Sequence, residues 1–395
     1  MRETPQANRL HVTLFGETNA GKSALFNAIT DTDLVIVSDI AGTTTDSVSK
    51  SMELHPIGPI VLTDTAGLND TGLLGTERMA KTKKAIEKTD LALYVIDASN
   101  HDRNAYDDLK KELTKRSTDC LVVLTKKDLY REEVEERKKE FENALAVSVQ
   151  SSEDINCLKA EIAKRLANVQ ETEASLIDGL LSSGSLVVMV VPIDSGAPKG
   201  RLILPQVQLI RACLDQEIRC LIVTESCLSQ ALQDNPKIDL LVTDSQIFHS
   251  VSKMVGEDIP LTSFSILMAR QKGNIETLLE GIHTIENLKD GDTILIAETC
   301  THNRTHEDIG HVKIPALLKR ITGKALQFEF STGRDYPANL SRYAMIVHCA
   351  ACMITRKEMQ NRLLAAQEEQ ISITNYGLLL AHGSGILQRA IKMMV

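Results

Sequence analysis

The chain has no tryptophan, and only 3% of its 395 residues are aromatic. Platforms for stacking bases are therefore scarce. Positive charge is also in deficit, with 44 Lys and Arg against 53 Asp and Glu and a net charge of −9. Phosphate-backbone binding is driven by clustered cations, so this balance argues against nucleic acid as the main partner. Long apolar runs are missing as well. Stretches such as Leu186–Val191 are far too short to span a bilayer. Met1–Leu10 lacks an apolar signal core. A cytoplasmic location with no membrane partner is the expectation. The eight cysteines are then not expected to form a disulfide framework. Cys120, Cys157, Cys213, Cys220 and Cys227 lie in or beside apolar or helical patterns and read mostly as small core residues.

What is present is ordinary for a globular chain, 43% apolar and 25% charged. Its length suits two or three domains. Residues 11–170 alternate short buried strands (His11–Phe15, Ile60–Thr63, Leu91–Ile96, Cys120–Leu124, Leu145–Val147) with charged helical segments. This pattern implies α/β architecture around a mostly parallel sheet. A helix from Ser152 should close the domain, with Glu171–Ser175 as a linker. A second α/β run has strands at Leu186–Val191, Cys220–Val223, Leu240–Thr243 and Ser265–Met268. A third has strands at Thr293–Ala297, Gln327–Phe330 and Ala344–Val347, then helices over about Thr355–Glu369 and Tyr376–Met393. The expected domains are residues 1–172, 173–270 and 271–395.

Gly16-Glu17-Thr18-Asn19-Ala20-Gly21-Lys22-Ser23 follows a strand and opens a helix. In a phosphate loop of this form, glycines let backbone N–H groups curl around phosphates. Lys22 reaches the β- and γ-phosphates and the Ser23 hydroxyl binds Mg²⁺. Asp64-Thr65-Ala66-Gly67 ends a strand where the Mg²⁺ shell and γ-phosphate are met. Thr125-Lys126-Lys127-Asp128 ends another. There Asp128 can accept from two guanine N–H groups while the Lys126 stem covers the base. ATP offers no such donor pair, so GTP and GDP are the implied ligands. Ser148-Val149 sits where a guanine-supporting loop belongs.

On these motifs the segment resembles the TrmE–Era–Obg class of GTPases. Gly42-Thr43-Thr44-Thr45-Asp46 looks like the first switch of that class, with Thr44, or else Thr43, as Mg²⁺ ligand. Leu68 stands where Ras-like enzymes carry the water-orienting glutamine. Asn19 occupies the position that helps hold K⁺ in potassium-activated members; otherwise it only shapes the loop. Thr125 departs from the usual Asn of the guanine motif, which implies modest nucleotide affinity.

The last hundred residues carry Cys300-Thr301-His302 and, after 45 intervening residues, His348-Cys349-Ala350-Ala351-Cys352. Both groups follow strands. Neighbouring parallel strands would bring them together at the carboxyl edge. Cys352 would lie a helical turn beyond Cys349, at a helix N-terminus that lowers thiol pKa. Three readings compete: zinc held by two or three cysteines and a histidine; an iron–sulfur cluster on Cys300, Cys349 and Cys352 with His302, His348 or another group completing it; or no metal, with ordinary buried cysteines, which five candidate ligands in two compact groups disfavour. His306, His311 and His382 read as surface, second-layer or packed residues.

The Cys-x-His…His-Cys-x-x-Cys pattern, the order of the three domains and Pro198-Lys199-Gly200-Arg201-Leu202-Ile203-Leu204-Pro205-Gln206 together resemble the HydF family of FeFe-hydrogenase maturation GTPases. The resemblance covers essentially the whole chain. It implies a GTPase domain, a central homodimerisation domain and a domain holding a 4Fe–4S cluster on Cys300, Cys349 and Cys352. It further implies a scaffold or carrier for a transient diiron precursor, with FeFe-hydrogenase and its radical-SAM maturases as partners. The rival from another class is a ribosome- or tRNA-associated GTPase with a structural zinc module.

Overall fold

The computed structural model describes residues 5–31, 47–65, 82–100, 103–141, 143–171, 175–193, 200, 202–299, 309–333 and 335–394. The chain divides into two compact units, residues 1–173 and 174–395. The expected linker falls largely outside the described residues.

The first unit is a six-stranded sheet. In chain order its strands are β1 (Leu10–Gly16), β2 (Val48–Leu54), β3 (Gly58–Asp64), β4 (Leu91–Asp97), β5 (Asp119–Thr125) and β6 (Leu145–Ala146). Their spatial order is β2-β3-β1-β4-β5-β6, and only the β2–β3 pair is antiparallel. β4 and the inner part of β5 are nearly continuous apolar runs, and β1 is buried throughout, because helices cover both faces of the sheet. On one face, helix α1 (Lys22–Thr30) buries Leu25, Phe26 and Ile29 with Ile155, Leu158 and Ile162 of a helix over Ser152–Glu171. On the other, Tyr106, Leu109 and Leu113 pack with Val134 and Phe141. The sequence pattern passes over β2, an edge strand whose burial alternates residue by residue.

The second unit contains two wholly parallel four-stranded sheets. β7 (Leu186–Val190), β8 (Arg219–Val223), β9 (Leu240–Thr243) and β10 (Leu261–Ser263) are ordered β10-β9-β7-β8. β11 (Thr293–Glu298), β12 (Gln327–Thr332), β13 (Met345–His348) and β14 (Ser372–Asn375) are ordered β12-β11-β13-β14. One hydrophobic core joins both sheets, running from Val188, Leu241 and Ile266 to Ile294, Ile346 and Leu379.

Ser265–Met268, expected as a strand, is helical and belongs to a helix over Phe264–Lys272. Ser263 caps that helix by accepting from the Ile266 N–H, and the strand is the three residues before it. Ile266, Leu267 and Met268 are all fully buried. Three consecutive buried apolar residues carry no period to separate a helix from a strand. The last expected helix is broken after Gly383, giving Tyr376–Gly383 and Leu387–Ile391. No helix among the described residues is long and apolar enough to cross a membrane. The seven described cysteines are free, and Cys157 and Cys227 are exposed rather than core residues.

Candidate functional site

Both candidate sites lie at carboxyl edges of parallel sheets, one in each unit. At the first, Gly16 ends β1 with φ +147°, and a Cβ there would stand 2.2 Å from the Val95 carbonyl oxygen. Only glycine lets the chain turn into the loop so close to β4. Gly21, at φ +86°, opens α1. Lys22 folds back over the loop, donating from Nζ to the Gly16 carbonyl at 3.0 Å and the Glu17 carbonyl at 2.6 Å. Burial pushes the pKa of its ammonium down to about 8, against the opposing charges of Asp64 and Glu17.

The Ser23 hydroxyl donates to Asp64 Oδ2 at 2.8 Å, so the two expected Mg²⁺-shell oxygens are already side by side. Asp64 is fully buried and burial raises its pKa, while Ser23, Lys22 and the Thr65 N–H pull the other way. Its Oδ1 is buried with no hydrogen-bond partner among the described residues. An orphaned carboxylate oxygen beside a serine hydroxyl fits a hard divalent cation. Thr65 pins this strand end to β1 by donating to the Leu14 carbonyl at 2.6 Å.

Thr125 braces the guanine motif against the phosphate loop. Its hydroxyl lies 2.8 Å from the Ala20 carbonyl and 3.1 Å from that of Ile96. Lys126 adopts φ +59° and its Nζ meets Asp97 Oδ2 at 2.5 Å. Burial works against the Asp97 charge, but Lys126 and the Ser99 N–H and hydroxyl hold its pKa below the usual carboxylate value. Asp128 is exposed, available to a base. Asp154 joins the neighbouring loop to the motif: it pairs with Lys127 Nζ at 2.8 Å and accepts from the Ser148 N–H at 2.9 Å. Asp97, Asp154 and Asn100, which donates to Glu17 Oε2 at 2.5 Å, escaped the sequence reading. No motif marks them; they are found only when strand ends and loops are placed together. Asn19, at φ +64°, helps line a small cavity with Glu17, Asp97 and Asn100. Thr43, Thr44, Gly67 and Leu68 lie outside the described residues.

At the second site β11 and β13 are parallel neighbours, with Ala297 opposite His348. The Cys349 N–H extends the ladder to the Ala297 carbonyl at 2.8 Å. Thr299 then turns toward the Cys349 sulfur, its N–H at 3.2 Å and its hydroxyl at 3.3 Å. Burial and the neighbouring Cys352 raise the Cys349 thiol pKa, and the hydrogen bonds from Thr299 and the Ala351 N–H oppose that rise. Cys352 is not a turn of helix beyond Cys349. Ala351 is left-handed, at φ +56°, and the next helix starts only at Arg356, capped by Thr355. Neither Cys349 nor Cys352 therefore lies in the first turn of that helix.

His348 is already engaged at both ring nitrogens. Nδ1 lies 2.9 Å from the Cys349 carbonyl and Nε2 2.9 Å from Arg362 Nη1. Arginine only donates, so Nε2 is the acceptor and Nδ1 carries the proton. Burial, then the Arg362 charge, pushes the ring pKa down to about 3. Both ring nitrogens are thus hydrogen-bonded within the chain, one of them to the Cys349 loop. Glu298, at the end of β11, accepts from the Tyr376 hydroxyl at 3.1 Å and lies 3.7 Å from His311 Nδ1. His311 stacks on Phe330. Cys300, His302 and His306 lie outside the described residues, and no three metal-capable side chains converge among those described. Two thiols three residues apart, one of them receiving N–H and O–H hydrogen bonds at sulfur, suit a thiolate-held iron–sulfur cluster or zinc.

Residues 11–126 match the family model for 50S ribosome-binding GTPases. Residues 176–273 match the Hydrogen maturase F dimerization domain and residues 276–393 its tetramerization domain. The chain is 36% identical over 173 residues to GTPase Der of Wolinella succinogenes, covering 41% of this chain and 37% of that one. It is 35% identical over 169 residues to the tRNA modification GTPase MnmE of Aquifex aeolicus, covering 41% and 36%. The chain thus spans about a third of the length of these curated relatives. A solved structure of Era with MgGDPNP and a 16S ribosomal RNA segment aligns at 23% identity and TM-score 0.35, over 39% of this chain and 56% of that one. Fold and site define a TrmE/Era-like P-loop GTPase domain followed by two α/β oligomerisation modules. The chain belongs to the Hydrogen maturase F, or HydF, family.

Proposed function

We propose that this protein is a GTP-hydrolysing scaffold or carrier in assembly of the FeFe-hydrogenase active site. In this reading it forms a homodimer through residues 176–270 and holds a 4Fe–4S cluster on Cys300, Cys349 and Cys352. It carries a diiron precursor as cargo, with FeFe-hydrogenase and its radical-SAM maturases as partners. The observation that carries the reading is the β11–β13 pairing, which sets Cys349 beneath the Thr299 donors at the strand end that leads to Cys300. A cluster bound there would supply iron with one coordination position not taken by cysteine, which suits accepting and releasing a metal unit.

The residues divide the remaining work. Lys22 and the loop amides bind phosphates, Ser23 and Asp64 with Thr44 hold Mg²⁺, and Gly67 meets the γ-phosphate. Asp128, Lys126 and Ser148 select guanine. Asn19 would help seat K⁺, which supplies charge where other GTPases use an arginine. The rival reading, a ribosome- or tRNA-associated GTPase with structural zinc, accounts for residues 11–126 but not for the two modules that follow. Anaerobic purification with iron and sulfide analysis, and the electron paramagnetic resonance spectrum of the reduced protein, tests the choice. Iron and sulfide in near-equal amounts are expected, and zinc without iron overturns the reading.

A further inference from the structure

The helix over Phe264–Lys272 ends on a buried lysine, only 4% exposed. Its Nζ donates to three carbonyls of the thiol loop: Ile354 at 2.6 Å, Ala351 at 3.2 Å and Cys352 at 3.5 Å. An ammonium has three protons to donate, and these carbonyls are among its acceptors. Burying such a charge is costly unless hydrogen bonds of this kind replace its water.

We propose that Lys272 is a positioning residue of the thiol loop, a cationic clamp that fixes the Cys349–Cys352 turn and supplies positive charge at its carbonyls. The inference rests on the cluster reading above. Ala351 is held from both sides, its N–H serving the Cys349 sulfur and its carbonyl accepting from Lys272. That grip accounts for a left-handed residue that is not glycine. Ala350 and Cys352 pack against the hydrophobic cluster containing Leu267 and Met268, in the same helix as Lys272. Thiolates and a reduced cluster are anionic, and a fixed cation in a poorly solvated site favours the more negative state. Lys272 also falls within the matched dimerization module, whereas the loop it clamps falls within the tetramerization module. The clamp therefore makes thiol geometry depend on the end of the preceding module.

The test compares the full-length, anaerobically reconstituted parent with Lys272→Met, Lys272→Gln and Lys272→Arg. Metal release to a chelator and the cluster's redox titration are the readouts, with circular dichroism as a fold control. Lys272→Met is expected to release metal at least about tenfold faster. It should also need a more negative potential by about 59 mV, a tenfold change in a one-electron couple. Lys272→Gln, which keeps hydrogen bonding without charge, should recover retention in part but not the potential. Lys272→Arg should stay near the parent in both. If Lys272→Met fails to fold, Lys272→Gln decides on potential alone. Parent-like release and potential in the variants that fold overturn the clamp. A parent carrying zinc overturns the functional reading instead, and the clamp is then judged on metal release alone.

Discussion

Arg362 donates to Nε2 of His348 across 2.9 Å, fixing the tautomer of a fully buried ring. Arg362 is itself only 5% exposed and its Nη2 meets Glu358 at 3.3 Å. A helix that begins just past the thiol loop thus takes the lone pair of the neutral ring. His348→Leu, which leaves Arg362 without this acceptor, should keep any iron bound by the thiols while melting earlier. The loss is about 1–3 kcal/mol, the usual cost of leaving a buried donor unsatisfied. Iron counts and thermal melts on the same samples check it, and loss of iron from a still-folded variant would restore His348 as a ligand.

The Thr125 hydroxyl replaces an amide in tying the guanine loop to the phosphate loop. Thr125→Val keeps the shape and removes the tie. GTP affinity should fall about tenfold, as expected when buried carbonyls lose their donor. Calorimetric titration with GDP and a non-hydrolysable GTP analogue measures this. Unchanged affinity would mean that Ala20 and Ile96 need no such bond.

The pKa of Lys22 near 8 makes a pH prediction. Nucleotide phosphates favour the ammonium, so the bound pKa lies above the free one. Below the free value the lysine is already charged, and affinity is flat with pH. Above it, binding must take up a proton, and affinity falls toward about tenfold per pH unit until the bound pKa is reached. Titrations from about pH 7 to pH 9.5 should show the bend; a flat profile contradicts it.

Hydrolysis should run faster in KCl than in NaCl at equal ionic strength. Asn19→Gly, which keeps the positive φ but removes the amide, should erase the difference. Equal rates in the parent chain dismiss the potassium role.

Much of the fold was legible because parallel strands covered on both faces read as apolar runs, as at Leu91–Ile96 and Leu186–Val190. The phosphate-loop and guanine residues were legible because their chemistry fixes their spacing. The rest depends on meetings between distant segments. Nothing at Arg362 announces that it will occupy His348 fourteen residues earlier. Lys272, one cation in Arg270-Gln271-Lys272-Gly273, looks like the end of a surface helix until the thiol loop is laid against it. Ser265–Met268 misled because full burial removes the periodicity that separates helix from strand.

The core shared by the two C-terminal sheets sets how this half of the chain can come apart. Covalently, the modules meet near Gly273; thermodynamically, there is no seam there. Heating should melt residues 174–395 in one calorimetric step rather than two, because neither sheet keeps its apolar face covered once the other opens. Excising the central module to test its oligomeric role would strip the thiol-bearing sheet as well. Point substitutions on the outer surface, such as at Val207 or Leu214, are the cleaner instrument. The same coupling means that whatever assembles or separates the subunits acts on a body that also contains the Cys349–Cys352 loop.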